Sequence, residues 1–447
     1  MASVFQALEH LKAQLGSARH LWVGYSGGLD STVLLQQLVQ LGFKNLTALH
    51  VHHQLSGHAD SWAEHCRKQA EQWACDFKSV RVSVDLQGRG LEQAARDARY
   101  RVFNTLAQAG DIVLTAHHAG DQAETFLFRL LRGAGLKGLA GVPKQRPLDA
   151  RDKNSALLLR PFLTMHRSAI LSYAQDKQLR WIEDDSNSNT DLDRNYLRHK
   201  LVPVMEQRWP NAVARIEASA DLLQQSGRLL DEYLAEDLNV CDLRPERLGC
   251  SLSLDKFTGF SWLRQKHLLR YWLVQNHYLL PGQQQLEQIQ YLISAADDAN
   301  PEVSWGGSST AGSPGCSFYR FQLRLYLLPR MQKAGKNTFS WNGESICGLG
   351  GGFVLGGEKA AFGLAAGDYE IRFRSGGERC RPEGRDKSQT LKKLLQEYRL
   401  EPWLRDRVPL IYHENMLVAV GDLWLCKGGG EPGGYQPRWY YQPQSHV

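Results

Sequence analysis

The chain has 447 residues, a length that suggests roughly two to four domains and a core large enough to need no disulfide or structural metal. Hydrophobic residues make up 43% and charged residues 22%, the balance of a soluble globular protein, not of a disordered or membrane-embedded one. Net charge is +6, and residues 371–410 hold eleven Lys and Arg against six Asp and Glu, so nearly all of the excess sits in one stretch. Such a concentration suits a surface that meets phosphates, although a solvated basic face would have the same composition. The eight cysteines are scattered without a CxxC, which argues against a zinc ribbon or a paired redox site. No basic-then-apolar segment resembles a secretory signal, and no run of about 18 apolar residues could span a bilayer. The expectation is a cytoplasmic protein with reduced cysteines and no membrane partner.

In chain order, residues 20–131 alternate between two hydrophobic periods. His20–Tyr25 reads as a strand, Ser31–Leu41 as a helix, Leu46–His52 as a strand, Asp60–Ala74 as a helix and Phe77–Val84 as a strand. Leu91–Gln108 carries Leu91, Ala94, Ala95, Ala98, Val102 and Leu106 at helical spacing; Asp111–Ala116 is a strand and Asp121–Leu131 a helix. This alternation predicts an α/β fold with a doubly wound, Rossmann-like parallel sheet, whose ligands bind beyond the carboxyl ends of its strands. Pro143–Ser155 and Trp181–Asp193 read as polar loops. Residues 231–300 look helical, most clearly at Trp262–Gln275 and Gln284–Ala295, until a Gly/Ser/Pro-rich stretch at 301–315. Strand-like segments follow (Ser317–Leu328, Thr338–Trp341, Tyr369–Arg374, Leu410–Tyr412, Leu417–Leu425) around one helix, Gln389–Tyr398, and the last dozen residues read as disordered. The expected organisation is a catalytic domain over 1–217, a small, mainly helical domain over 218–315 and an α+β domain over 316–447.

The sharpest local signal is Ser26-Gly27-Gly28-Leu29-Asp30-Ser31, which follows an apolar strand and opens a helix. There, backbone N–H groups and the helix dipole face an anion. Gly27 and Gly28 let phosphate oxygens approach the backbone, and Ser26 and Ser31 offer hydroxyl donors. Asp30 repels phosphate directly and makes sense only if it coordinates Mg²⁺ or handles a proton. No G-x-x-x-x-G-K-[ST] occurs, so the cradle is not a Walker A loop. The competing reading is a structural turn capped by serine.

Other residues carry weaker signals. Arg96 and Arg99 share a helix face and, with Arg101, could neutralise a triphosphate or simply be solvated. Asp121 and Glu124 also lie i, i+3, where capping charge worth about 0.3–1 kcal/mol is the plainer account. His117 and His118 follow a strand, so alternation points them to opposite faces. Arg194, Asn195, Arg198 and Lys200 surround Tyr196 in a basic cluster that could hold the phosphates of a single-stranded loop, or merely open an exposed helix. His50, His52 and His53 invite a metal reading, but nothing else of zinc-ligand spacing accompanies them, and no metal cluster is expected.

The hexapeptide at 26–31 resembles the PP-loop of the ATP pyrophosphatase superfamily, over roughly residues 20–200. Further segments are similar to the tRNA(Ile)-lysidine synthetases: Ala116–Thr125, Arg129–Leu139, Arg160-Pro161-Phe162-Leu163, Glu183-Asp184-Asp185-Ser186-Asn187, and Arg194-Asn195 with Arg198 and Pro203. The run from Gly376 through Arg379, Arg381, Arg385, Lys392 and Lys393 to Trp403 resembles that family's C-terminal domain, and the likeness is weakest at about 205–365. Two positions depart from it. Gly120 stands where the family often has the first of two acids, and His52 stands where it often has aspartate.

The resemblance implies three substrates: ATP, free L-lysine and an isoleucine tRNA with a CAU anticodon. The wobble cytidine would be adenylated at its C2 oxygen, and the lysine ε-amine would displace AMP to form lysidine. Because a lysine of pKa near 10.4 arrives charged, a base must act at the moment of attack, and Asp30 is the candidate. Asp121 and Glu124 suit the ammonium groups of lysine, and His117 suits phosphate or cytidine. Arg194, Asn195 and Arg198 suit the anticodon loop, while Arg379, Arg381, Arg385, Lys392 and Lys393 suit the acceptor end. A homodimer is compatible with this reading. Two alternatives stand beside it. One is another PP-loop enzyme, such as a tRNA thiolase or a GMP, NAD or argininosuccinate synthetase. The other is a nucleotide- or RNA-binding module, which would have no need for acids around a polyphosphate.

Overall fold

The computed structural model describes residues 4–85, 90–149, 152, 154–184, 189–295, 301–306, 315–331, 335 and 337–442. The chain divides into two compact units, 1–232 and 233–447. The first is built on six strands: β1 (Leu21–Gly24), β2 (Leu46–His52), β3 (Asp76–Arg81), β4 (Ile112–Leu114), β5 (Gln145–Pro147) and β6 (Leu157–Leu159). They form one sheet in the order β3-β2-β1-β4-β6-β5, parallel except for the edge strand β5. Leu21, Val23, Ala48, Val113 and Leu114 are buried because helices cover both faces, which is why these strands read as unbroken apolar runs. The helix Leu29–Gln40 contributes Val33, Leu34, Leu35 and Leu38 to the same core.

The chain runs from β1 outward to β2 and β3, then returns to place β4 on the other side of β1. The order therefore reverses between β1 and β4, and the crevice at their carboxyl ends is where a sheet of this kind binds its ligand. The Rossmann-like expectation is met, with one difference: β5 lies inside the stretch read as a loop at 143–155. A three-residue strand has no alternation to read, and Gln145 and Arg146 have the polarity of an edge.

Among the described residues the second unit is built of four antiparallel sheets. Arg244–Pro245, Cys250–Ser253, Arg324–Pro329, Cys316–Phe321 and Glu302–Trp305 form one sheet, accompanied by the helices Trp262–Gln275 and Gln283–Ser294. Segment 218–315 thus holds strands as well as the expected helices, and its sheet continues beyond residue 315. The run read as one strand at 317–328 is a hairpin that turns at Gln322 and Leu323, with φ of 47° and 58°. A two-residue turn with left-handed residues normally advertises itself by Asn or Gly, and here it does not. Nearer the C-terminus, Phe353–Leu364 pairs with both Cys347–Gly350 and Tyr435–Tyr441. The expectation of a disordered last dozen residues is therefore corrected: Trp439 is buried in the core, and its apolar bulk anchors the final strand. Residues 443–447 lie outside the described residues.

Asp111, at the foot of β4, ties the sheet together. Its carboxylate accepts from Arg19 Nε and Nη2 (both 2.8 Å), the Gln108 N–H (2.9 Å) and Trp22 Nε1 (3.1 Å). Burial works against its charge, but Arg19 and these N–H donors hold its pKa below the usual carboxylate range. A depressed native pKa means stability that is present above the unfolded pKa and lost as pH falls through the native one. Asp111→Asn should therefore cost roughly 2–3 kcal/mol at pH 7 in urea unfolding, with the gap closing below about pH 4. An equal loss at pH 7 and pH 3 would contradict the charge-based account.

Candidate active site

Two loops leave the carboxyl ends of β1 and β4 side by side. In the first, Gly27 has φ +82°, and a Cβ there would lie 2.5 Å from Ile182 Cδ1 and 2.7 Å from Cys66 Sγ, so both conformation and space require glycine. Gly28 is different: a Cβ would meet nothing closer than 3.5 Å, so the fold itself would tolerate a side chain. The Gly27 carbonyl accepts from the Ile182 N–H (2.9 Å) and Thr32 Oγ1 (3.2 Å). The Ser26 and Ser31 hydroxyls lie 3.1 Å apart, Ser31 Oγ donates to the Gly28 carbonyl (3.0 Å), and the Gly28 N–H donates to Ser26 Oγ (3.3 Å). The serines expected as hydroxyl donors also brace the loop. Gly28 is extended and no side chain caps the helix Leu29–Gln40, which leaves its first-turn N–H groups for an anion.

In the second loop His118 caps the helix Ala119–Leu131. Its Nδ1 accepts from the Gly120 N–H (3.0 Å), and its own N–H donates to Asp121 Oδ2 (2.9 Å). Asp121 is therefore a capping residue, as the plainer reading held, but it is also more. Arg198 Nη2 donates to Asp121 Oδ1 (3.0 Å) and to Glu124 Oε2 (3.0 Å), while Arg198 Nε donates to Glu124 Oε1 (2.6 Å). Glu124 is only 4% exposed, so this fork neutralises a carboxylate with almost no access to water. Burial pushes the Glu124 pKa up against the pull of Arg198. At Asp121 burial is overcome by the neighbouring His118 and His117, the His118 N–H and Arg198, and its pKa is lowered.

Asp30 joins this group from the first loop, with Oδ2 4.0 Å from His118 Nε2. Burial raises its pKa, with His118, Arg167 and Arg198 opposing. Its Oδ1 is buried without a hydrogen-bond partner among the described residues, an orphaned acceptor beside the Ser26–Ser31 loop. A hard cation such as Mg²⁺ fits that atom. His117 pairs through Nδ1 with Thr115 Oγ1 (2.9 Å). Burial, with help from Arg99, Arg160 and Arg96, pushes its pKa down to about 3, so it is neutral at pH 7.

The remaining predicted residues are distributed unevenly. Arg194 pairs with Glu92 (2.8 Å) and Asn195 donates to the Asn189 carbonyl (2.9 Å), so among the Arg194–Arg198 set it is Arg198 that enters the acid group. In the second unit Arg385 and Lys393 both pair with Glu397 (2.7 and 3.9 Å), Arg381 Nε donates to the Arg385 carbonyl (2.7 Å), and Arg379 donates to the Ser388 carbonyl (3.1 Å). His50 Nδ1 contacts the Tyr25 carbonyl (3.0 Å) and His52 Nε2 contacts Asp60 (3.1 Å). Among the described residues no group of three or more His, Cys, Asp or Glu could hold a metal. Residues 185–187 of the acidic motif lie outside the described residues; Ile182, just before it, is bonded to the Gly27 loop. Sequence reasoning had no signal for that contact.

Comparison with known proteins adds independent findings. The PP-loop domain family matches residues 2–205, the TilS substrate binding domain residues 252–326 and the TilS substrate C-terminal domain residues 369–440. The chain is 39% identical to the tRNA(Ile)-lysidine synthase of Serratia proteamaculans over 97% of both chains. It is 37% identical to that of Coxiella burnetii over 93% of this chain and 91% of the relative. The chain belongs to the tRNA(Ile)-lysidine synthase family. Among solved structures, a U34-tRNA thiolase from Methanococcus maripaludis aligns with TM-score 0.42 and 16% identity over 49% of this chain and 78% of that one.

Within the lysidine synthase family, the glycine at 120 has a local physical correlate. A Cβ there would lie 2.7 Å from His118 Cε1, so the capping position of His118 depends on the missing side chain. At the other departure, His52, a carboxylate reaches the imidazole from Asp60 on the following helix.

The raised pKa of Asp30 gives a signed expectation. A carboxylate whose native pKa is raised costs stability at neutral pH, and that cost disappears as pH falls below the unfolded pKa. Asp30→Asn should therefore melt at or above the wild-type temperature at pH 7, while turnover falls by about two orders of magnitude or more. Turnover at the wild-type level would remove Asp30 from the chemistry.

Proposed function

We propose that the chain ligates free lysine to C2 of the wobble cytidine in an isoleucine tRNA with a CAU anticodon, using ATP and releasing AMP and pyrophosphate. The observation that carries this reading is membership of one family over nearly the full length, combined with the joining of a phosphate cradle and an acid group at one sheet crevice. The cytidine C2 oxygen attacks the α-phosphorus of ATP and pyrophosphate leaves. The lysine ε-nitrogen then forms a bond to C2, the C2–O bond breaks, and the oxygen departs with AMP. The charge on lysine requires that one ε-proton be removed in this second step.

The residues divide this work by environment. The first-turn N–H groups after Gly28 stabilise the phosphates, because they are oriented before charge develops. Asp30, whose burial raises its affinity for a proton, takes the ε-proton. In the first step the unpartnered Asp30 oxygen would hold Mg²⁺, which would supply neutralisation of phosphate charge; the carboxylate serves as base only in the second step, free of that cation. Asp121 and Glu124 recognise ammonium groups, a role supported by the way both already accept from the cation of Arg198. Neutral His117 offers a hydrogen bond to phosphate or cytidine without adding charge. Arg194, Asn195 and Arg198 lie on the segment we assign to the anticodon loop. We assign catalysis to 1–217 and tRNA contact to 218–315 and 316–447, with Arg379, Arg381, Arg385, Lys392 and Lys393 on the acceptor end. A cytoplasmic location follows from these substrates, and a homodimer is compatible with the scheme.

Mass spectrometry of the isoleucine tRNA after incubation with ATP and isotopically labelled lysine tests the reaction. The cytidine should gain labelled lysine less one water; an unmodified cytidine with ATP consumed would exclude this function. For the acids, Asp121→Asn and Glu124→Gln should raise the KM for lysine more than the KM for ATP. If the lysine KM is unchanged in both, the acids serve only the helix cap and Arg198.

A further inference from the structure

A carboxylate acting as a base must present one defined oxygen. The terminal torsion of an aspartate is broad and roughly twofold, so its two oxygens exchange unless one of them is held. Asp30 sits in the first turn of the helix Leu29–Gln40 with its side chain partly exposed, and its Oδ1 has no hydrogen-bond partner among the described residues. Arg198, the cation of the acid group, is committed to Asp121 (3.0 Å) and to Glu124 (2.6 and 3.0 Å). The group that faces Asp30 Oδ2 is the imidazole of His118, whose Nε2 lies 4.0 Å away.

The helix cap decides which nitrogen of that ring carries the hydrogen. Nδ1 accepts from the Gly120 N–H (3.0 Å), so in the neutral ring the hydrogen is on Nε2. The ring is buried, which leaves this N–H little access to water. Asp121 Oδ2 also lies near it, at 3.8 Å, but that oxygen already accepts the His118 backbone N–H (2.9 Å), and Asp121 Oδ1 accepts from Arg198. The Nε2–H therefore gains most by closing on Asp30, and a shift of about 1 Å brings it to bonding distance. Position 120 lets the ring lie there: a Cβ would stand 2.7 Å from His118 Cε1 and 3.0 Å from Nδ1. The residue that departs from the family pattern is thus the one that lets the imidazole sit between the two carboxylates.

We infer that His118 is a positioning residue whose Nε2–H holds Asp30 Oδ2 and leaves Oδ1 turned toward the ε-proton of lysine. This rests on the lysine-ligating reading above. The proton passes from the lysine nitrogen to Asp30 Oδ1, and no hydrogen leaves His118. In adenylation the carboxylate would be oriented by its bond to Mg²⁺, so the histidine matters most in the second step, when lysine displaces AMP.

The two amide relatives of histidine separate its nitrogens. In the full chain, His118→Asn keeps a cap acceptor near Nδ1 and removes the distal donor, whereas His118→Gln keeps a donor near Nε2 and loses the cap. Wild type and both variants receive MgATP, isoleucine tRNA and labelled lysine. Pyrophosphate release reports adenylation, lysidine formation reports lysine transfer, and thermal melting confirms folding at the assay temperature. His118→Asn should slow lysine transfer about tenfold to a hundredfold, while pyrophosphate release and the steady-state KM for lysine and ATP stay within about twofold of wild type. His118→Gln should melt earlier than His118→Asn yet transfer lysine faster. A role in the helix cap alone predicts the opposite order of activity, and that order would overturn the inference. Equal slowing of both steps in His118→Asn would overturn it too, as would lysine transfer at the wild-type rate. If one variant fails to fold, the ratio of the two steps in the other decides. A wild-type chain that forms no lysidine would remove the functional reading as well, whereas lysidine formed at one rate by all three proteins removes this inference alone.

Discussion

The backbone ladder between Leu21–Gly24 and Ile112–Leu114 brings two segments far apart in the chain out of the same edge of the sheet. Because the strands are parallel, both continue in the same direction, one into Ser26–Ser31 and the other into His117–Asp121. Asp30 and His118 meet at 4.0 Å only through that pairing. A one-residue slip of β4 against β1 would move the second loop by about 3.3 Å and turn its side chains to the opposite face. The sheet core, packed by Val33, Leu34, Leu35 and Leu38, therefore sets the distance between the Ser26–Ser31 loop and the acid group.

Environment gives chemically similar residues different characters. Asp30 and Glu124 are both pushed toward the protonated state by burial, but Glu124 has a guanidinium fork and one oxygen of Asp30 has no partner. Asp121, one turn away from Glu124, is held in the charged state by a cap and a cation. Carboxyl groups whose proton affinities are driven apart in this way are suited to different tasks in one reaction. Two neighbouring histidines divide similarly: His118 is committed to the helix cap, and His117 is kept neutral among arginines.

The parts legible in the sequence were those whose signal is local. A glycine pair between an apolar strand and a helix marks the turn after β1, and i, i+3 spacing puts Asp121 and Glu124 on one face. The role of Arg198 was not legible, because the bond that places it joins positions 74 apart in the chain. The same holds for Ile182 beneath Gly27 and for Arg160 at Tyr100. Serine in a glycine loop reads as a ligand donor, and no local signal shows that the Ser31 hydroxyl also bonds the Gly28 carbonyl. In the second unit, two- to four-residue strands such as Cys250–Ser253 are too short to show a period, and the strongly patterned helices beside them dominated the reading.

The fork between Arg198 and Glu124 bears on how such a chain can change over generations. Replacing Arg198 alone strands Glu124 as a carboxylate almost wholly out of water, whereas replacing Glu124 leaves Arg198 its pair with Asp121. The first of these steps is uphill, even where the double replacement would be tolerated. Inheritance then couples two distant codons in one direction, and drift at position 198 is blocked until position 124 moves. Asp121 is less constrained, because its cap to the His118 N–H survives without Arg198. Of the two acids on that helix face, Glu124 is the one whose history is bound to a partner.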